Sequence, residues 1–237
     1  MATLNDVQSL ISAEFDQSGS VINPFSGEYE RRRRLVNIAE RMWREFNSGR
    51  WSVLRTTASL ILTIGQPYVT LPSDYIIGRE DFDHNNQLLK IGSTDYKKIT
   101  PNQRYQFDPA EPLVWFSGNE AIGYRLNLQP TPSEAVSFDF PYFSKNTAID
   151  ENNIEKEFMT LPSDKTKIPD PTFLSDYALG RLFRVDDEPA KGGQYTQESL
   201  TSRLVLMASQ NAQIQGLNIP NAADDVSLEP IGGYFQL

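Results

Sequence analysis

Met42-Trp-Arg-Glu-Phe46, then Asn47-Ser-Gly49, then Trp51 and the run Ser59-Leu-Ile-Leu-Thr-Ile64 mark the point where the chain changes texture. Before it, Leu35, Ile38, Ala39, Met42 and Phe46 recur at helical spacing and define one apolar face, and Gly49 stands where that helix should stop. Leu4, Val7, Leu10, Ile11 and Phe15 repeat the pattern upstream, after a Thr3/Asn5 start and ahead of a breaker stretch from Gln17 to Pro24. After it, from about Trp51 to Phe143, runs rich in β-branched and aromatic residues are punctuated by Pro, Gly and Asn. Strands are expected over Ser59–Ile64, Tyr68–Leu71, Leu88–Ile91, Leu113–Phe116, Tyr124–Leu128 and Val136–Tyr142, with a hairpin turn between Phe82 and Leu88. Such short, closely spaced strands suggest a small antiparallel sandwich or barrel.

Helix returns in the C-terminal third. Asp170-Pro171 offers an N-cap with proline in the first turn, and Leu174, Tyr177, Ala178, Leu182 and Val185 share a face. Asp186 to Gly193 reads as a break, with Gly192-Gly193 as a flexible connection. Thr196 then caps a last helix in which Leu200, Leu204, Met207, Asn211 and Ile214 follow a near-heptad seam, ended by Gly216. Neither helical segment is long enough to bury a face alone. The expected fold class is therefore α+β. A four-helix bundle-like domain (1–50 and 150–216) is interrupted by an inserted β domain (51–149) and followed by an extended C-terminal docking tail (217–237).

The chain of 237 residues carries 22 basic and 31 acidic side chains, a net charge of −9, no cysteine and one histidine, His84. Those counts exclude disulfide scaffolds, thiolate zinc and iron–sulfur sites, Cys–His nucleophiles and a Ser–His–Asp triad with a second supporting histidine. No Gly-x-Gly-x-x-Gly or P-loop pattern occurs, so no cofactor is expected. The longest apolar run falls far short of the ~20 residues of a membrane span, and the N-terminus lacks the basic and apolar regions of a signal peptide. Acidity also argues against nucleic-acid binding through the whole surface, although an acidic protein can conduct DNA without holding it.

In Glu80-Asp81-Phe82-Asp83-His84, carboxylates neighbour the imidazole, but strand alternation places Asp81 and Asp83 on one face and His84 on the other. A solvated strand end, not a metal site, is expected there. Thr70-Leu-Pro-Ser-Asp74 and Thr160-Leu-Pro-Ser-Asp164 read as two similar turns. The basic signal is sharper. Arg31, Arg32, Arg33, Arg34, Arg41, Arg44, Arg50 and Arg55 hold more than half of the arginines. A solvated helix face with Glu40–Arg44 and Arg41–Glu45 pairs is one reading. Contact with an acidic partner, or with another copy of this acidic chain, is the other, and it makes Arg31–Arg34, Arg41 and Arg44 candidate interface residues. Direct phosphate binding is disfavoured because no aromatic-interleaved strand motif accompanies the run. Asn211, polar within its seam, is a candidate for fixing register or partner number. Tyr234, Phe235 and Leu237 end a polar, proline-bearing tail and suit docking into a partner's groove.

The order of these pieces resembles the head-to-tail adaptor proteins of tailed phages, particularly the tubular connector proteins of short-tailed phages. Met42-Trp43-Arg-Glu-Phe46 leading to Trp51 matches their Trp-containing turn after short helices. Leu71-Pro-Ser-Asp-Tyr75 matches the element that opens their β region, and Tyr124-Arg-Leu-Asn-Leu-Gln-Pro-Thr-Pro132 a strand with a Pro-x-Pro end. Phe138-Asp-Phe-Pro-Tyr-Phe143 stands for the aromatic strand, and Leu182-Phe-Arg-Val-Asp-Asp-Glu188 for the helix end before the last helix. The likeness covers about residues 28–215; the Glu151–Pro169 connection and the extended tail depart from the pattern.

The resemblance implies a virion structural protein, not an enzyme, located in the phage neck and assembled in the host cytoplasm. Copies would form a homo-oligomeric ring of about twelve beneath the portal protein. The ring would extend the channel for double-stranded DNA without sequence-specific binding, with the β insertion facing a nozzle or other tail component and no membrane involved. Two other readings stay open on the residues alone. A ligand- or glycan-binding β module would present Trp115 and Tyr124 on an exposed patch. A carbohydrate hydrolase would need two carboxylates converging in a cleft, one with a raised pKa.

Overall fold

A computed structural model describes residues 1–17, 22–46, 51–81, 88–185 and 189–214. The chain is α+β, with four helices and three sheets among these residues. Helix α1 (Leu4–Phe15) starts in a capping box: the Thr3 hydroxyl accepts from Asp6 N–H while the Asp6 carboxylate accepts from Thr3 N–H. Helix α2 (Gly27–Glu45) is capped by Ser26, whose Oγ accepts from Tyr29 N–H. Helix α3 (Thr172–Val185) begins at the expected Asp170-Pro171, where Asp170 accepts from Thr172 N–H at 3.0 Å. Helix α4 runs Pro189–Ile214.

Helix α3 lies among the other three, packing on α1, α2 and most extensively on α4. Its central place explains why Phe173, Leu174, Ser175, Ala178, Leu179, Gly180, Leu182 and Phe183 are buried around most of its circumference, and why Val185 at its end is exposed. The α3–α4 approach rests on two glycines. A Cβ on Gly180 would lie 2.8 Å from Thr196 Oγ1, and one on Gly192 would lie 2.9 Å from the Gly180 carbonyl oxygen. Gly192-Gly193 is therefore helical and not the flexible connection expected; α4 has already begun at Pro189. Thr196 is not a cap either: it sits within α4, and its hydroxyl donates to the Gly192 carbonyl.

Two further expectations about faces are corrected. In α2 the inward side is Tyr29, Arg32, Val36, Ala39, Glu40 and Trp43, whereas Ile38 and Met42 are 45% and 44% exposed. Ala39 alone of the expected apolar face is buried. In α4 the inward side carries Gly192, Ser199 and Arg203, while Leu200 and Leu204 of the expected seam face solvent. The Arg203 guanidinium covers the rings of Phe46 and Phe173, taking a place the apolar pattern assigned to leucine.

The β region forms two sheets over one core. The first has the order β1–β8–β3 (Arg55–Leu62, Val136–Ser144, Tyr75–Glu80). The second has the order β2–β7–β6–β5–β4 (Tyr68–Thr70, Gly123–Gln129, Leu113–Asn119, Thr94–Lys98, Leu88–Ile91). It is not wholly antiparallel as expected: β5 and β6 run parallel, with Lys97 opposite Leu113. Strands β3 and β5 escaped the pattern because Tyr75-Ile-Ile-Gly-Arg-Glu80 and Thr94-Asp-Tyr-Lys-Lys98 carry charges where alternation calls for apolar residues. Tyr75 is the centre of an aromatic cluster, its ring edge-on to Tyr124, Phe140 and Tyr142 and stacked on Phe116.

The connection between β region and α3 holds a third sheet of short strands, β10–β9–β11 (Glu155–Lys156, Ala148–Ile149, Lys165–Thr166). Its Ala148, together with Met159 and Ile168 from the same connection, joins the apolar cluster of the helices, so this segment closes the helical core from one side. Buried Trp43 and Trp51 stack at 4.3 Å in the same cluster, and Trp51 Nε1 donates to the Trp43 carbonyl at 2.8 Å. Both Leu-Pro-Ser-Asp elements are turns. Asp74 accepts from the Tyr142 hydroxyl, and Asp164 accepts from its own turn, Thr160 and Leu161 N–H, and from Lys156. The predicted hairpin turn at 83–87, Gly49, residues 186–188 and the tail beyond Ile214 lie outside the described residues.

Candidate assembly surface

The arginine run divides by direction. Arg32 is 2% exposed and points inward; it donates twice to Asp16, at 2.9 Å each, once to Glu28 Oε1 at 2.9 Å and once to Ser12 at 3.1 Å. Burial works against its charge, but the Asp16 and Glu28 bonds outweigh that and push its pKa up. Arg44, also buried, donates to the Lys145 carbonyl and to Glu157 at 2.9 Å and pairs with Glu45. These two are not partner-facing in this fold. They tie α2 to α1 and to the segments that flank the third sheet, and the expected Glu40–Arg44 and Arg41–Glu45 pairs do not form; Glu45 instead takes Arg44 and Arg79.

Arg31, Arg34 and Arg41 point outward. Arg31 reaches Glu28 at 3.5 Å, and Glu30 is shared by Arg33 at 2.7 Å and Arg34 at 3.0 Å. That sharing holds Glu30 down at about 2 and leaves one of two positive charges uncompensated. Arg41 lies over the Phe158 ring. Between these cations run half-buried Leu35 and exposed Ile38 and Met42. At 100° per residue, Arg31, Arg34, Leu35, Ile38, Arg41 and Met42 share one side of α2, away from Val36 and Trp43. Apolar side chains fenced by arginine are the composition of a protein-contact surface. Sequence reasoning found the arginines but assigned Ile38 and Met42 to the core. The missed signal is the alternative face Tyr29–Val36–Ala39–Trp43, which has the same period.

A second surface was not anticipated. Asp170, Glu198, Thr201, Ser202, Val205 and Leu206 line an open groove of about 400 Å³ on α4 and the start of α3. Beside it, burial and then the charges of Glu198, Asp170 and Glu14 push Asp176 up to about 6. Val205 is 58% exposed within this acidic setting. Asn211 lies in α4, but its side chain, like Tyr234, Phe235 and Leu237, is outside the described residues.

Other candidates are spoken for by their surroundings. Glu40 is sealed from solvent, its Oε2 accepting from Met159 N–H at 3.1 Å, and burial pushes it up to about 8. A carboxyl so enclosed meets no substrate. Glu80 accepts from the Tyr75 hydroxyl and pairs with Lys98, and Asp81 pairs with Arg55; Asp83 and His84 are outside the described residues. Among the described residues no group of three or more His, Cys, Asp or Glu is placed to hold a metal ion, and no helix is long and apolar enough to cross a membrane. Trp115 and Tyr124 are each half-buried, Tyr124 against Tyr75, so they do not form the open platform that a glycan-binding module requires.

No curated protein sequence matches the chain. The family model described as SU10 adaptor protein matches residues 2–220, which takes in both helical segments and the whole β region. The chain thus belongs to the SU10 adaptor protein family, a family of phage head-to-tail adaptors, and its role is structural.

Proposed function

We propose that this protein forms a ring of about twelve copies beneath the portal, extends the DNA channel and offers the attachment site for the next tail component. The carrying observation is the outer side of α2, where Ile38 and Met42 stand exposed between Arg31, Arg34 and Arg41, opposite the core. A surface that exposes apolar residues at the cost of hydration, within a chain of the adaptor family, is best accounted for by a protein that covers it. The helical part packs between copies and against the portal, and the β insertion faces the tail. Asn211 and the terminal Tyr234, Phe235 and Leu237 extend these contacts. The net charge of −9 suits a duct, because like charge keeps DNA mobile whereas a basic lining would add phosphate contacts. No catalytic step is assigned to any residue.

The test is electron microscopy with light scattering of the purified protein, mixed with the portal encoded in the same genome. A ring capping the portal is expected. A monodisperse monomer that leaves the portal bare would overturn the reading.

A further inference from the structure

We propose that neighbouring copies join head to tail, the arginine-fenced apolar side of α2 on one copy seating against the acidic α3–α4 groove of the next. This rests on the ring reading above and names the two surfaces that meet. A closed ring of identical chains with rotational symmetry needs heterologous contacts, so each copy must carry two different, mutually complementary faces. The structure carries such a pair. One is basic, with Arg31, Arg34 and Arg41 around Ile38 and Met42; the other is acidic, with Asp170 and Glu198 lining the groove that holds Val205 and with Asp176 and Glu14 extending the negative charge along the helices beside it.

Each face alone is unfavourable. Glu30 cannot neutralise both Arg33 and Arg34, and on the other face Asp176 is raised first by burial and then by the charges of Glu198, Asp170 and Glu14. Bringing the faces together relieves both excesses and removes apolar surface from water at each side. The two faces lie on helices that both pack on α3, which fixes their relative direction and hence the turn from one copy to the next. A portal or nozzle would not require both faces on one chain; a second copy does.

The experiment uses exposed positions. In the first variant, Arg31→Glu with Arg34→Glu, both faces are acidic; in the second, Glu14→Arg with Glu198→Arg, the groove side carries two arginines beside Asp170 and Asp176 and loses its acidic excess. Each alone should assemble about tenfold less than the unmodified chain, by mass photometry at low salt with portal present. Mixed in equal amounts, the two should regain rings, because every junction between unlike variants is then either native or reversed on both sides. A single chain with all four reversals should assemble on its own. Arg31→Ala with Arg34→Ala, which removes charge without adding repulsion, keeps the test readable if a reversal impairs folding, and should give an intermediate loss.

A mixture that stays unassembled while the unmodified chain forms rings would overturn the face pairing and leave the ring standing. So would a Glu14→Arg/Glu198→Arg chain that assembles normally. Normal free rings of the Arg31→Glu/Arg34→Glu variant that no longer cap the portal would assign the α2 face to the portal. An unmodified chain that never forms a ring would overturn both readings together.

Discussion

Arg32 and Arg34 are two residues apart in α2 and so point about 200° apart around its axis, and replacing each by alanine should separate folding from assembly. Arg32 loses two bonds to Asp16, one to Glu28, one to Ser12 and its place over the Phe15 ring. Charge-assisted bonds contribute about 1.5–3 kcal/mol each in isolation and do not add. Breaking a fully buried pair costs about 3–5 kcal/mol. Here the partners can partly recover water, since the Asp16 and Glu28 side chains are 29% and 37% exposed, which lowers the figure. Against that, Asp16 is the C-cap of α1, where the helix dipole disfavours an anion that Arg32 now offsets. The balance is about 2–4 kcal/mol, or a fall in melting temperature of roughly 5–15 °C for a chain of this length. Arg34, 73% exposed, holds only a surface pair with Glu30, and its loss should change stability by no more than about 0.5 kcal/mol. Differential scanning calorimetry of both variants, beside ring formation on the portal, reads the contrast. The reasoning fails if Arg34→Ala melts as low as Arg32→Ala, or if Arg32→Ala leaves the transition where it was.

The glycines of α4 should respond in opposite directions. Gly192→Ala drives a methyl against the Gly180 carbonyl and should cost about 1–3 kcal/mol in urea unfolding, whereas Gly193→Ala meets nothing within 4 Å among the described residues and should gain up to about 1 kcal/mol of helix propensity; equal effects would deny the close α3–α4 approach. Burial raises Glu40 to about 8, so between about pH 4.5 and 8 the folded state holds a proton that the unfolded chain has already released. Stability should therefore fall as pH rises through that window, by at most about 1.4 kcal/mol per pH unit, and Glu40→Gln should flatten the profile; an unchanged profile in that variant would place the titration elsewhere. Asp176, at about 6 and facing Glu198, Asp170 and Glu14, gains its proton as pH falls. The acidic groove then loses one charge, and ring yield at fixed salt should drop below pH 6; a yield that rises would contradict the pairing of faces.

The four helices and their order were legible because periodicity and caps act locally: Asp170-Pro171 starts α3 as its chemistry requires, whereas α4 begins at Pro189 and not at Thr196. The strands with clean alternation were legible for the same reason. What was not legible depends on contacts distant in sequence. Glu80 can sit inside β3 because Tyr75 and Lys98 reach it, and Arg203 can face the core because Phe46 and Phe173 are there to be covered. Gly192-Gly193 looked like a break because a lone helix gains nothing from glycine; only the approach of Gly180 gives it a purpose. The charges of Thr94-Asp-Tyr-Lys-Lys98 hid a strand that pairs in parallel with β6 across a long connection, a pairing that no local signal announces.

The misreading of α2 bears on function. A helix of period 3.6 whose apolar residues serve two purposes has two apolar stripes, and composition alone does not rank them. The stripe with more apolar surface, Leu35–Ile38–Met42, looked like the core side, and the stripe interrupted by Arg32 and Glu40 looked like the outside. The fold resolves it the other way because Arg32 and Glu40 arrive with partners, Asp16 and Glu28 for one and the Met159 N–H for the other. Once that side is committed to the core, Ile38 and Met42 are apolar residues left over at the surface, with arginines on their flanks. The same accounting applies to α4, where Arg203 takes the inward place and Leu200 and Leu204 are left outside. In both helices a buried cation displaces apolar side chains outward, and in a chain of the adaptor family those displaced residues are where another protein should be sought.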